Sequence, residues 1–368
     1  MTTIPLVDLH VQHRDVADEI EAGFAEVVGR SQFVLGPRVA EFEEAFARYA
    51  GVRHCVGVGN GTDAIELMLR SLSIGEGDEV IVPANTFIAT ALAVVRAGAS
   101  PVLVDVDPQY YLIDVDQVKA RIGPKTRAII AVHLYGQTAP VERLAEIAAD
   151  SGIPVLEDAA QAHGATRWRR RAGGLGVAAA FSFYPSKNLG AYGDAGAVAT
   201  DDDRLAAAVR RLRNWGSDLK YRHAEIGFNS RLDSIQAVVL RAKLKHLDAW
   251  NDARRVAALR YDALLSVLPR VALPRTLEGN EHVWHLYVVQ LPDRDRVQAA
   301  LQAQGIDAGI HYPVPIHRQG AFRHLGLPRG AFPVTERLAS ACLSLPLFPG
   351  ITPQQQERVA NALALALG

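Results

Sequence analysis

Cysteine and methionine are scarce in this 368-residue chain, two of each. No run of about 18 consecutive apolar residues occurs. Each absence closes off a class of protein. Cys55 and Cys342 show no Cys-x-x-Cys spacing, so neither a zinc site nor a disulfide framework is expected, and both read as reduced packing residues. Without a long apolar run no transmembrane helix is expected. The start, Met1-Thr-Thr-Ile-Pro-Leu-Val-Asp8, lacks the basic and apolar regions of a secretion signal, so the expected location is the cytoplasm. Charge of one sign is lacking too. The 39 Lys and Arg against 40 Asp and Glu leave a net charge of -1, with no electrostatic reason to seek nucleic acid or a membrane.

What is present is the make-up of a globular protein of two or three domains, 49% hydrophobic and 21% charged. In residues 12–50, Val16, Ile20, Phe24 and Val27, then Val39, Phe42, Phe46 and Tyr49, recur at helical spacing on either side of Gly36-Pro37. This predicts two amphipathic helices. Strands at 79–83, 101–105, 127–133 and 154–158 alternate with helices near 86–97, 114–122 and 140–151, and 181–183 and 196–200 supply two more strands. Such alternation implies an α/β protein with a mostly parallel sheet flanked by helices, which collects ligands at the carboxyl ends of its strands. Residues 234–268 read as a long helical region leading into a smaller α+β part, with strands near 283–291 and 306–312 and helices near 294–303, 334–340 and 352–367.

Three stretches can carry chemistry. Phe181-Ser-Phe-Tyr-Pro-Ser-Lys187-Asn-Leu-Gly-Ala-Tyr-Gly-Asp-Ala-Gly196 sets one lysine between an apolar run and a glycine-rich turn. A buried lysine loses charge and becomes a nucleophilic amine, although a lysine in a loop is more often solvated. Gly59-Asn-Gly-Thr-Asp63 follows a short strand and opens a helix, where backbone N–H groups and a hydroxyl suit a phosphate. It matches neither a P-loop nor a full dinucleotide fingerprint, and the plainer reading is a tight turn capped by Thr62 or Asp63. Leu156-Glu-Asp158-Ala-Ala-Gln161 ends a strand with a carboxylate, which suits the nitrogen of a pyridinium ring or simply caps the next turn.

The order of these stretches resembles the DegT/DnrJ/EryC1/StrS family of nucleotide-sugar aminotransferases. Further matches lie at Pro83-Ala-Asn-Thr-Phe87, Gly193-Asp-Ala-Gly196, Gly227-Phe-Asn-Ser-Arg-Leu-Asp233 and His311-Tyr-Pro-Val-Pro-Ile-His317. The resemblance implies the type I fold of pyridoxal 5'-phosphate (PLP) aminotransferases: a large domain over residues 1–245 with a mixed seven-stranded sheet, and a small C-terminal α+β domain over 246–368. Residue by residue, it implies that Lys187 carries the cofactor as a Schiff base and Asp158 pairs with the ring nitrogen. Phe87 would stack on the ring and Gln161 would lie on its other side. Gly61, Thr62, the N–H of Asp63 and Ser182 would bind the phosphate, and Asn229 would reach it from a partner subunit in a homodimer with shared sites. Tyr184, His311 and Tyr312 would line the sugar pocket, with Lys220, Arg222 and Arg231 toward the nucleotide. Gly190 and Gly193 would let the backbone pass the cofactor. Relatives that dehydrate sugars carry histidine at the lysine position; this chain keeps Lys187.

The implied reaction moves an amino group from L-glutamate to the 3-keto carbon of a dTDP-linked 6-deoxyhexose, the alternative being a 4-keto sugar. Two readings from other classes are a nicotinamide-dependent sugar oxidoreductase, supported by the first glycine turn alone, and a non-catalytic sugar-nucleotide sensor, opposed by the intact Lys187 and Asp158. The basic run Arg167-Trp-Arg-Arg-Arg171 reads as a solvated hairpin. His282 and His285 read as structural residues in a strand, and no metal site is expected.

Overall fold

Short aliphatic strands with both faces covered organise the computed structural model, which describes residues 3–368; Met1 and Thr2, the start of the expected large domain and of the stretch read for a secretion signal, lie outside it. The strands are β1 (His54–Val58), β2 (Glu79–Pro83), β3 (Ser100–Val104), β4 (Thr126–Val132), β5 (Val155–Asp158), β6 (Ala178–Ser182) and β7 (Gly196–Thr200). They form one sheet in the order β1-β7-β6-β5-β4-β2-β3, in which β7 runs against both neighbours and the other neighbouring pairs are parallel. Alternation along each strand feeds different cores. Val80 and Val82 pack with the Gly61–Ser71 and Ile88–Ala97 helices, whereas Ile81 packs with the Val115–Arg121 and Val141–Ala148 helices on the other face. Cys55 and Cys342 are buried and unpaired.

A second core gathers β8 (Tyr287–Gln290), antiparallel to β9 (Cys342–Leu345), with the Arg294–Ala303 and Pro353–Leu367 helices. The long helical region over 234–268 is two helices, Ser234–Leu244 and Leu247–Leu265, and it reaches more than one core. Val239, Ala242 and Trp250 pack on Val16 and Ile20, while Ala258, Tyr261 and Leu265 pack in the second core. The expected strand at 306–312 does not form. Ile306 and Gly309 make single bridges to Ile4 and Ser344, after which the chain leaves the sheet toward His311 and Tyr312. The strand expected from 283 starts only at Tyr287, since Val283 and Leu286 donate instead to the carbonyls of Gly136 and Tyr135.

The basic hairpin is present as Thr166–Arg167 and Arg170–Arg171, with Asn280–Glu281 as a third strand. Arg167 departs from the solvated reading. It is buried, with its guanidinium on the Glu142 carboxylate and the Glu278 carbonyl in place of water.

Neighbouring carboxylates at the end of β5 point to opposite faces and do different work. The fully buried Glu157 accepts the N–H groups of Gly173, Leu175 and Gly176, each at 2.8 Å, and Nε2–H of His133 at 2.8 Å. His133 Nδ1 accepts the Ala139 N–H at 3.1 Å, which puts the ring proton on Nε2. Burial would raise the Glu157 pKa, but the His133 and backbone donors outweigh it and hold the carboxyl below its ordinary value. Glu157→Gln is expected to cost on the order of 3 kcal/mol in chemical denaturation, because an amide NH2 then faces buried donors. An unchanged unfolding midpoint would contradict this account.

Candidate active site

The cleft lies where the carboxyl ends of β4, β5 and β6 meet the turn after β1. It encloses a volume of about 650 Å³.

Its wall includes Gly61, Thr62, Phe87, Asp158, Gln161, Ser182, Tyr184, Lys187, His311 and Tyr312, so ten of the residues singled out in the sequence come together. Each is placed by local structure. The Gly61–Ser71 helix is capped by Asn60, whose side chain accepts the Asp63 N–H at 2.8 Å. The cap is therefore Asn60, not Thr62 or Asp63, and the Asp63 N–H is already engaged. Gly61 and Thr62, in the first turn, have N–H groups with no intrahelical acceptor. The Asp63 carboxylate instead accepts from Ser230 Oγ at 2.7 Å and pairs with Arg96 at 3.1 Å. A Cβ on Gly61 would lie 2.6 Å from that of Ser182, so only glycine lets the end of β6 approach this helix terminus.

Asp158 is held at the end of β5 by Thr90 Oγ1, which donates to Oδ2 at 2.7 Å, and by the Ala160 N–H at 3.2 Å on Oδ1. Gln161 is fixed at both ends: its carbonyl accepts the Tyr135 N–H at 2.7 Å and its amide donates to the Tyr312 hydroxyl at 3.0 Å. Phe87 faces Tyr312 with ring centroids 5.3 Å apart. Lys187 sits in the loop between β6 and β7, which folds on itself through Lys187 N–H to the Tyr184 carbonyl and Ala191 N–H to the Phe183 carbonyl, both 2.8 Å. Gly190 is required by this loop and not by a ligand, since a Cβ there would lie 2.2 Å from the Pro185 carbonyl oxygen. Burial lowers the Lys187 amine to about 8, against the opposing pull of the Asp158 charge.

Five residues stay outside the cleft, Asp63 among them, its N–H held by Asn60. Asn229 is exposed, Lys220 and Arg222 lie on the exposed Ser217–His223 hairpin, and Arg231 bonds Asn214 at 3.3 Å. In the other direction, Arg96, Asp194, Ser186 and His285 line the cleft and were not singled out as site residues. Asp194 belongs to the Gly193-Asp-Ala-Gly196 stretch. His285 is expected to be a structural residue in a strand; the chain there is irregular instead, and the residue lies on the cleft wall. Among the described residues no cluster of His, Cys, Asp or Glu could hold a metal ion.

A lysine amine between an antiparallel strand pair, a carboxylate at the end of a parallel strand and a helix N-terminus with open N–H groups define a PLP-dependent enzyme of the type I aminotransferase fold. The chain belongs to the DegT/DnrJ/EryC1/StrS aminotransferase family, whose model matches residues 14–364. It is 45% identical to the dTDP-3-amino-3,4,6-trideoxy-alpha-D-glucose transaminase of Streptomyces venezuelae over 98% of this chain and 95% of that one. It is 46% identical to the UDP-N-acetyl-3-dehydro-alpha-D-glucosamine 3-aminotransferase of Acidithiobacillus ferrooxidans, over 100% and 98%. The solved structure of S. venezuelae DesV in complex with a ketimine intermediate superposes with a TM-score of 0.97 at 45% identity, covering 99% of this chain and 98% of that one.

The residues present fit the cofactor. Open first-turn donors, a glycine where a Cβ would close the cradle, and a lysine Nζ with no hydrogen bond among the described residues all match an anionic aromatic aldehyde. A pH dependence follows. The free amine gains as pH rises through about 8, so cofactor-free protein should capture PLP faster across that range, read by stopped-flow absorbance. Asp158→Asn should move the midpoint down, because it removes the charge that favours the ammonium. A midpoint near that of an ordinary lysine would contradict the burial.

Proposed function

We propose that the enzyme transfers the amino group of L-glutamate to the 3-keto carbon of a dTDP-linked 6-deoxyhexose. The observation that carries this is the ring position shared by the two relatives: one is named for a dTDP-3-amino sugar, the other for a UDP-linked 3-dehydro sugar. A cleft of about 650 Å³ with Tyr184, His311 and Tyr312 on its wall offers the donors and acceptors that a hydroxylated sugar needs. When bound, PLP supplies an aldehyde that carries nitrogen and a ring that draws electrons from the reacting carbon.

The protein supplies the rest. The N–H groups of Gly61 and Thr62 and the hydroxyls of Thr62 and Ser182 would hold the phosphate. Asp158, steadied by Thr90, would keep the proton on the ring nitrogen. Lys187 Nζ would hold the cofactor covalently at rest, and once displaced by a substrate amine it would move the proton at the reacting carbon. Phe87 and Gln161 would confine the ring between them. The two substrates use this lysine in turn, which gives ping-pong kinetics.

A homodimer with shared sites is part of the proposal. Asn229 is exposed in its own chain, and Trp215, Tyr221 and Ile226 beside it are 49%, 84% and 94% exposed, which favours a covering surface. The division of domains at residues 245 and 246 and a cytoplasmic location complete it; no helix among the described residues is long and apolar enough to cross a membrane. The test is the reverse reaction with 3-amino and 4-amino dTDP-sugars. Turnover of the 3-amino compound is expected, and turnover of the 4-amino compound alone would refute the ring position. Mixed dimers of Lys187→Ala and Asn229→Ala chains should regain activity if sites are shared.

A further inference from the structure

His285 lines the cleft, yet neither the cofactor cradle nor the residues assigned to the sugar include it. Its protonation state can be read from a chain of hydrogen bonds. The carbonyls of His163 and Val283 can only accept, so they fix the NH2 groups that face them: Asn251 Nδ2 donates to His163 at 2.8 Å, and Asn188 Nδ2 donates to Val283 at 2.9 Å. Asn188 Nδ2 also donates to Asn251 Oδ1 at 2.8 Å, which uses both of its protons. What Asn188 has left is its Oδ1, and this meets His285 Nδ1 at 3.2 Å. His285 must therefore carry its proton on Nδ1, leaving Nε2 a bare lone pair with no partner among the described residues.

The ring also stays neutral. Burial, first, and the positive charges of Lys187 and Arg254 push its pKa well below the ordinary value. A neutral acceptor repels the carboxylates of an amino-acid donor and attracts a hydroxyl proton. Tyr312, whose hydroxyl accepts from Gln161, and His311, whose Nδ1 bonds Ser344 Oγ at 2.8 Å, stand on the same wall.

We propose that His285 determines substrate specificity by accepting, at Nε2, a hydrogen bond from a hydroxyl of the nucleotide-linked sugar, with Asn188 as the residue that sets its tautomer. The inference rests on the sugar-nucleotide reading above. It predicts a split between the two half-reactions. His285→Phe should raise KM for a dTDP-3-amino-hexose about tenfold or more, since a site built to bind a hydroxyl then loses its partner. The rate with glutamate and the visible cofactor band should stay within about twofold of the unaltered enzyme. His285→Gln, which offers an oxygen acceptor, should recover part of the KM and covers the case in which the phenylalanine variant folds poorly. Deoxygenated substrates identify the hydroxyl: removing the right one should cost the unaltered enzyme as much as His285→Phe does, with no further loss when the two are combined. Equal loss in both half-reactions, or an unmoved KM, overturns the assignment. Failure of the unaltered enzyme to use any nucleotide sugar is a different result, and it overturns the underlying reading as well.

Discussion

Lys187→Ala is expected to reduce transaminase turnover by at least about 10³-fold, because it removes both the covalent anchor and the proton-moving amine. The fold should survive. Lys187 Nζ makes no hydrogen bond among the described residues, and the loop around it is held by backbone bonds such as Ala191 N–H to the Phe183 carbonyl at 2.8 Å. PLP should still bind weakly, through the helix terminus and Asp158, but without the absorption band of the lysine-linked form. Activity within tenfold of the unaltered enzyme, measured on a sample with an unchanged melting temperature, would remove Lys187 from the mechanism.

Asp158→Asn is expected to lower turnover by about 10²-fold or more, the second-largest effect, through charge and not shape. Asparagine Oδ1 can still accept the Ala160 N–H, which bonds Asp158 at 3.2 Å, and its NH2 can donate to Thr90 Oγ1 once that hydroxyl turns its proton to Thr86 Oγ1, 2.9 Å away, so the local structure should persist. What it cannot do is stabilise a protonated ring nitrogen. Both half-reactions should slow together, since both draw on the same electron sink. A defect confined to the sugar half-reaction would mean that Asp158 serves substrate binding instead.

The strands and their order of use were readable from short aliphatic runs separated by helices, and Lys187, Asp158 and the Gly61-Thr62 turn were readable because each interrupts such a run with chemistry. Residues that act through distant partners were not. Nothing near Thr90 in the sequence announces that it donates to a carboxylate on another strand. His285 was hidden by alternation that resembles a strand, and Asn188 by its place beside a more conspicuous lysine. The break between Leu244 and Leu247 was equally invisible, because no glycine or proline marks it.

Strand β7 sets a tolerance on chain length. Gly196 lies opposite Val58 of β1 on one side and Ser182 of β6 on the other, so the phosphate turn, the lysine loop and the returning strand are read off at one level of the sheet. Adding or deleting one residue in any of these strands would shift one of them by roughly 3.3 Å against the others and turn its side chains over. Added residues are expected to be tolerated better at the opposite end, at turns such as Gly123 before β4, where an added Cβ meets nothing within 4 Å. The two ends of one sheet thus differ in how freely the chain can grow.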